Sequence, residues 1–345
     1  MTQGGGSRVN FPFVGIPSFL RSAICTDLGE LDADIAVLGA PSDEGSPFMP
    51  GSRFGARSIR EHSTRFVTDG RGYYDPSVRK QYLEREMVGG RIADVGDADI
   101  LPTNVIDTFA NITELTRAVV NRGAMPVALG GDHSVTFPVA RAFEGDDPFH
   151  VVHFDAHIDY MPFIHGLEFT NQHAFRHIRL MSNVRSINQI GIRSLRNTQV
   201  MHDDSLRDGN RVVTMEEFRD RRDEALLEGI PEGARCYVSI DIDALDISLT
   251  PGCVSAEPNG LTYAELRDSL AAVAERTEII GFDLVEVNPL LDVPTGLTSY
   301  LAAHTVIEFL GRISEQPWWR SGREARAERR ARRAHGPGRD VRGKR

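Results

Sequence analysis

The amino-acid sequence predicts an α/β fold in which a mostly parallel sheet is covered by helices on both faces. Short, fully apolar runs alternate with helical patterns between residues 30 and 315, and this alternation is typical of parallel sheets. The apolar runs lack the alternating polar positions of a sheet that has one face in water, so both faces should be buried. No internal repeat interrupts the stretch, which favours one large domain.

The predicted elements follow one another in a regular order along the chain. Strands are expected at 34–39, 126–129, 149–154, 187–192, 211–214, 235–240 and 278–285, and helices at 54–65, 104–122, 133–143, 262–276 and 299–314. The polar stretch 68–84, which contains Gly, Pro and Tyr, is predicted to be a long excursion.

Composition divides the 345 residues into three parts. Residues 1–20 begin with a Gly-rich, polar stretch and are expected to form a flexible segment, residues 21–315 the folded domain, and residues 316–345 a basic, disordered tail. The net charge is −10 although the tail is rich in arginine, so the domain itself is more acidic than the total indicates. An acidic body argues against nucleic-acid binding, which needs a basic face.

Three scattered cysteines, Cys25, Cys236 and Cys253, form no CxxC pair. They indicate neither a disulfide framework nor a structural zinc site. No apolar run approaches the eighteen residues or so that a membrane span needs, and the first residues lack the apolar core of a signal peptide. We therefore expect a cytoplasmic protein with no membrane partner.

Six potential metal ligands recur in three short clusters, each at the end of an apolar run. They are His133 in GGDHS, Asp155, His157 and Asp159 in DAHID, and Asp241 and Asp243 in SIDID. In open parallel sheets, ligands bind at the carboxyl ends of the strands. Residues far apart in sequence should therefore converge on one rim of the sheet.

The spacing within the clusters matches cation binding. Residues two apart on an extended segment share a face, so Asp155, His157 and Asp159 should point the same way, as should Asp241 and Asp243. Two histidines and four aspartates exceed what one zinc needs and suit two divalent cations bridged by carboxylates. Without cations, so many acids would repel one another. The clusters predict a two-metal hydrolytic site.

Four motifs together resemble the ureohydrolases, the arginase/agmatinase superfamily, and the loop GSPFMPGSRFGARSIRE at residues 45–61 resembles the agmatinase-like branch. The four motifs are GGDHS, HFDAHID, SIDIDALD and FDLVEVNP. The similarity covers roughly residues 30–312. The resemblance implies a three-layer αβα sandwich around an eight-stranded, mostly parallel sheet. It also implies two manganese ions per subunit, with nickel as the alternative, bound by the six residues of the three clusters.

The resemblance assigns roles to further residues. Glu286, in VEVNP, matches the glutamate that holds the substrate guanidinium, and a carboxylate can accept two parallel N–H bonds from that planar group. Asp159 is expected both to bind metal and to take a proton. At the position of the family's loop histidine this chain has Asn171, while His173 lies two residues on and His165 six residues before. Asparagine orients a substrate but shuttles no proton, so His173, or else His165, is expected to replace it.

The expected reaction is hydrolysis of a guanidino-type C–N bond, which releases urea, or a urea-like product, and an amine. The substrate would be a small cationic guanidino compound; a substituted guanidine or biguanide, or a formimino compound, is the alternative. A non-catalytic subunit that supports an active paralogue is the alternative from another class. The resemblance also implies that the protein forms a homo-oligomer, either a trimer or a hexamer. A hetero-oligomer that contains a paralogue is the alternative.

Overall fold

The computed structural model describes residues 15–66, 70–322 and 325. Their centre is a nine-stranded sheet in which every pair of neighbouring strands is parallel. A separate two-stranded hairpin is antiparallel. In chain order the strands are β1 (Ala23–Ile24), β2 (Ile35–Ala40), β3 (Tyr73–Asp75), β4 (Lys80–Tyr82), β5 (Ile92–Asp97), β6 (Met125–Gly130), β7 (Phe149–Phe154), β8 (Val184–Ile192), β9 (Arg211–Thr214), β10 (Arg235–Asp241) and β11 (Glu278–Val285).

The strand order in the large sheet is β1-β5-β2-β6-β11-β10-β7-β8-β9. Because all nine strands run the same way, their carboxyl ends meet at one edge of the sheet. The strands β6, β11, β10 and β7 are consecutive neighbours at its centre. The segments that follow these four strands therefore lie side by side.

Helices cover both faces of the sheet, as the apolar strands predict. Their bounds are α1 (Gly55–Ser63), α2 (Glu84–Val88), α3 (Val105–Asn121), α4 (Thr136–Ala140), α5 (Ala174–Leu180), α6 (Gln199–Arg207), α7 (Met215–Arg221), α8 (Asp223–Leu227), α9 (Tyr263–Arg276) and α10 (Leu297–Ser314). Helices α1, α7, α8, α9 and α10 pack into one apolar cluster, and α3, α4, α5 and α6 pack into the other.

These two clusters, separated by the sheet, make a three-layer αβα sandwich, so the predicted fold class is confirmed. The sheet has nine strands rather than eight. One of the nine, β1, consists of two exposed residues at the sheet edge. The polar stretch 68–84 contains the hairpin β3–β4, in which Tyr73 stacks on Tyr82 at a ring-centroid distance of 5.1 Å.

Residues on the outer side of both predicted domain boundaries pack against the domain. Phe19 and Leu20 are buried in the apolar cluster that contains α1, so packing begins before residue 21. Trp318 and Trp319 also pack against the domain, where their indole N–H groups donate to Ala274 O and to Glu86 Oε1. Residues 1–14 and most of the predicted basic tail lie outside the described residues. Among the helices that the structure describes, none has the length and apolar character to cross a membrane.

Candidate metal centre and substrate cleft

The six predicted ligands converge at the carboxyl edge of the sheet. His133 begins the turn after β6, Asp155 follows β7 directly, and Asp241 is the last residue of β10. Their side chains are almost completely buried, except for that of His157, which is partly exposed. Gly131 permits the close approach of these loops, since a Cβ there would lie 1.7 Å from the carbonyl oxygen of Ser42.

His133 points one ring nitrogen at three carboxylates. Its Nδ1 atom lies 3.0 Å from Asp155 Oδ2, 3.1 Å from Asp159 Oδ2 and 3.1 Å from Asp241 Oδ2. These four atoms come from three different strand ends. One nitrogen and three carboxylate oxygens around a common centre form a donor set suited to a divalent cation.

His157 forms a second group beside the first. Its Nδ1 atom lies 3.1 Å from Asp155 Oδ1 and 3.2 Å from Asp243 Oδ2. Asp155 thus presents Oδ2 to His133 and Oδ1 to His157, and its Oδ2 also lies 2.8 Å from His153 Nε2. A carboxylate placed in this way could be shared by two neighbouring cations.

The hydrogen bonds of His133 fix which of its nitrogens carries the proton. Ser239 Oγ donates its proton to Asp283 Oδ1 at 2.7 Å. Because that proton is used, the hydroxyl oxygen of Ser239 accepts from His133 Nε2–H at 3.0 Å. The Nδ1 atom of a neutral His133 then carries a lone pair. A lone pair that faces three carboxylate oxygens is repulsive unless a cation, or a proton, lies between them.

Unpaired atoms and raised pKa values point to the same need for positive charge. His133 Nδ1 and Asp243 Oδ2 are buried without a hydrogen-bond partner among the described residues. Burial raises the pKa of Asp159 to about 6, with a further contribution from the charge of Asp155. Burial, together with the charges of Asp243 and Asp155, raises the pKa of Asp241 well above its usual range. The donor set fits divalent cations, which would hold these carboxylates in their ionised form.

Glu286 lies beside the metal-binding candidates, directly after β11. It is 2% exposed, and burial raises its pKa to about 8, with the charge of Asp132 adding to the effect. Its Oε1 atom accepts from the backbone N–H of His133 at 3.0 Å. Glu286 and Asp159 both have positive φ angles, of 65° and 47°. Such strained backbone is uncommon outside glycine and concentrates at functional sites.

A cleft opens over these groups. The lining residues are Ser46, Pro47, Phe48, His157, Asp159, Asn171, Gln172, Arg196, Asn197, Met201, Asp241, Val254, Ser255 and Glu286. Asn171 lies next to Glu286, with 3.4 Å between its Nδ2 and Oε1 of the glutamate, and its own Oδ1 atom is buried without a partner among the described residues. The amide oxygen is therefore free to accept a bond from a ligand.

The two histidines that were expected to replace the family's loop histidine lie elsewhere. His173 is 1% exposed and is not among the described residues that line the cleft. Its Nδ1 atom binds Thr170 Oγ1 at 2.7 Å, and its ring stacks on Phe163. His165 is exposed, in the same loop, and also lies outside the lining set. Of the residues proposed from this loop, Asn171 is the one that reaches the cleft.

The sequence alone did not single out Arg196 and Glu257, which also surround the site, whereas Cys253 was expected near the pocket from its place after SIDID. Arg196 lines the cleft, and its Nη2 atom lies 2.7 Å from His157 Nε2. Glu257 Oε1 lies 3.8 Å from the same ring nitrogen. Cys253, which is buried, brings its sulfur within 4.8 Å of ligand atoms of Asp241 and Asp243. The signal for Glu257 was its place in the loop after SIDID, where side chains must pack near the rim.

Comparison with known proteins agrees with this fold and this site. The arginase family profile matches residues 33–311. The chain is 33% identical to the guanidinopropionase of Pseudomonas aeruginosa, covering 88% of this chain and 93% of that protein. It is 32% identical to the mitochondrial guanidino acid hydrolase of Homo sapiens, covering 86% and 82%. The crystal structure of proclavaminate amidino hydrolase from Streptomyces clavuligerus superposes with a TM-score of 0.76 at 29% identity, covering 88% of this chain and 99% of that one.

The fold is therefore the arginase-like αβα sandwich, with a candidate metal site at the carboxyl edge of its sheet. The chain belongs to the arginase family. It is a hydrolase, and the predictions of family and enzyme class are confirmed.

Proposed function

We propose that this protein hydrolyses a guanidino-type C–N bond at a two-cation centre and releases urea, or a urea-like product, and an amine. One observation carries the proposal: Asp155 turns one carboxylate oxygen towards Nδ1 of His133 and the other towards Nδ1 of His157. The two groups of donors that share Asp155 would hold two cations side by side. The relatives named guanidinopropionase and guanidino acid hydrolase support this reaction class.

In this proposal the first cation is held by His133, Asp155, Asp159 and Asp241, and the second by His157, Asp155, Asp241 and Asp243. Two such cations make water nucleophilic near neutral pH by lowering its pKa. Aspartate and imidazole donors accept several divalent metals, and we propose manganese, with nickel as the alternative.

Glu286 is proposed to bind the substrate. Its second carboxylate oxygen, Oε2, is not engaged by His133 or Asn171, and both oxygens can accept parallel N–H bonds from a guanidinium. A bound guanidinium would also keep Glu286 ionised, since a positive charge at contact distance lowers a carboxyl pKa. Clamped in this way, the central carbon of the substrate would lie over the candidate metal centre.

Proton transfer is assigned to Asp159, which lines the cleft at the edge of the metal-binding group. Asn171 is proposed to contact the substrate through its free amide oxygen. For His173 the contacts support a narrower role than proton transfer. Its bonds to the backbone N–H and hydroxyl of Thr170 close a capping turn that holds Asn171 at the cleft.

The compounds that the protein hydrolyses distinguish the proposed function from its alternatives. A biguanide or substituted guanidine would be cleaved by the same groups, and a non-catalytic subunit would bind metal but release no urea alone. We also propose a trimer or hexamer of this chain, to be measured by light scattering on the purified protein. The purified protein, tested alone against guanidino acids, agmatine, guanidine and biguanides, distinguishes these functions.

The test compares wild type with Asp155→Asn after reconstitution with Mn²⁺ or Ni²⁺. Loss of the shared carboxylate should lower the metal content below that of wild type and reduce urea release by about 1000-fold or more. Asp220→Asn, which changes an exposed aspartate on α7, is the control. It should keep the metal content and the rate of urea release of wild type. Metal-loaded wild type that hydrolyses no compound of the panel would refute the proposed function.

A further inference from the structure

A permanent cation faces the cleft over the candidate metal centre. Among the described residues that line this cleft, only Arg196 carries a fixed positive charge. The acidic groups around it, Asp159, Asp241 and Glu286, suit a cationic guanidino group. A substrate that carries both a guanidinium and a carboxylate would match the acidic groups and the arginine of this cleft.

Arg196 is held along one edge of its guanidinium. Its Nε atom donates to Glu257 Oε1 at 3.2 Å, and its Nη2 atom donates to the carbonyl oxygen of Ser255 at 2.9 Å. Glu257 is fixed in turn by a 2.7 Å bond from Ser194 Oγ. The Nη1 atom has no hydrogen-bond partner in the part of the chain that the structure describes, and the side chain is 53% exposed. One edge of the guanidinium is therefore anchored while Nη1 remains available.

Arg196 also lies against His157, one of the candidate metal ligands. Arg196 Nη2 lies 2.7 Å from His157 Nε2, and an arginine can only donate. If His157 binds a cation through Nδ1, as proposed above, its Nε2 atom carries the proton and cannot accept. The acceptor within 3.8 Å of that N–H is Glu257 Oε1. Arg196 Nη2 then keeps the carbonyl oxygen of Ser255 as its acceptor, and Nη1 is the atom that is left for a ligand.

We propose that Arg196 binds a carboxylate at the far end of the substrate, so that the preferred substrates are guanidino acids rather than agmatine or neutral alkylguanidines. This inference rests on the proposed function and names its substrate class. Arg196 is separated from the carboxylates of Asp155 and Asp243 by the width of the His157 ring. A guanidino acid, with its guanidinium at one end and its carboxylate at the other, would span that separation. The planar guanidinium of arginine matches a carboxylate in geometry and in charge.

The experiment measures kcat/KM of the full-length, Mn²⁺-loaded enzyme on three compounds of similar length and different charge. These are 4-guanidinobutyrate, agmatine and 1-butylguanidine. Wild type should prefer 4-guanidinobutyrate. Arg196→Gln should lower kcat/KM for this acid by about 10- to 100-fold, mainly through KM, because a hydrogen-bonded charge pair is lost. The value for 1-butylguanidine should stay within about threefold of wild type, since uncharged alkyl tails make no such pair.

Metal content per chain, measured by mass spectrometry, is the second readout, because Arg196 contacts His157. Arg185→Gln, an exposed arginine near the amino end of β8, is the matched control and should behave as wild type. Unchanged metal content with a loss confined to the acid supports the proposal. An equal loss on all three compounds, lowered metal content, or a wild-type preference for agmatine or 1-butylguanidine overturns it. If no guanidine releases urea at all, the proposed function itself has failed, and the carboxylate site with it.

Discussion

The Glu286 carboxylate accepts a hydrogen bond from the backbone N–H of His133 at 3.0 Å. In the opposite direction, the backbone N–H of Glu286 donates to the carbonyl oxygen of Gly131 at 2.8 Å. The two bonds join the segments that follow the neighbouring strands β6 and β11. One backbone bond and one bond to the Glu286 carboxylate thus hold the proposed guanidinium clamp beside the candidate metal centre.

Glu286→Gln tests the clamp. Glutamine keeps an acceptor for the His133 N–H but loses the negative charge and one of two parallel acceptors, so kcat/KM for every guanidino substrate should fall by about 100-fold or more. Metal content should remain that of wild type. Glu275→Gln, an exposed glutamate near the end of α9, serves as control. Activity within a few-fold of wild type would remove Glu286 from the substrate site.

Asn171→Ala tests the neighbour of Glu286. The change removes an amide donor 3.4 Å from Glu286 Oε1 and a buried acceptor that has no partner among the described residues. Loss of one neutral hydrogen bond to substrate should reduce kcat/KM by about 10-fold, with little change in the pH profile. Asn171→His adds a titratable group and should introduce a new limb in the plot of kcat against pH. Identical kinetics in all three proteins would show that this position does not govern the reaction.

The sequence predicts the central sheet well because its strands are buried on both faces and therefore read as unbroken apolar runs. Strand β5 was missed, since its sequence IADVGD contains two aspartates and a glycine. One of these aspartates, Asp94, is compensated by Arg60, 34 residues away in sequence. A local sequence pattern does not show that a distant arginine will pair with this aspartate.

In the candidate site too, some features follow from the local sequence and others depend on contacts between distant residues. The six predicted ligands converge because each follows a strand end, which is a property of the local sequence. The orientation of the His173 side chain depends on the turn in which its ring binds the Thr170 hydroxyl. Arg196 is held at the cleft by its hydrogen bond to Glu257, which lies 61 residues further along the chain. Contacts of this kind depend on how distant loops fold over one another, so the sequence pattern alone did not reveal them.

The buried pair of Arg60 and Asp94 should contribute strongly to stability. Arg60 Nε and Nη2 donate to the two oxygens of Asp94 at 2.8 and 3.0 Å, and both residues are less than a tenth exposed. Arg60→Met leaves a buried carboxylate without its partner and should lower the free energy of unfolding by about 3–5 kcal/mol. Urea denaturation measures the change. Arg57→Met, on the exposed side of the same helix α1, should change it little, and the double variant Arg60→Met/Asp94→Leu should recover part of the loss.

His177 should make stability depend on pH. Burial lowers its pKa below 6.5, and its ring stacks on Phe169 and Phe137. Because the unfolded chain binds the proton more tightly, the stabilising contribution is complete above about pH 6.5 and is lost as the pH falls from there towards the folded-state pKa. In metal-free buffer, the drop in unfolding free energy between pH 7.5 and 5.5 should be smaller in His177→Gln than in wild type. The exposed His202 on α6 provides the control, and an equal drop in His202→Gln and His177→Gln would contradict the prediction.

The stoichiometry of metal binding tests the central claim most directly. Calorimetric titration of the metal-stripped protein with Mn²⁺ measures how many ions each chain takes up. The shared position of Asp155 between His133 and His157 predicts two ions per chain. Uptake of one ion per chain, or none, would contradict a two-cation centre at this rim.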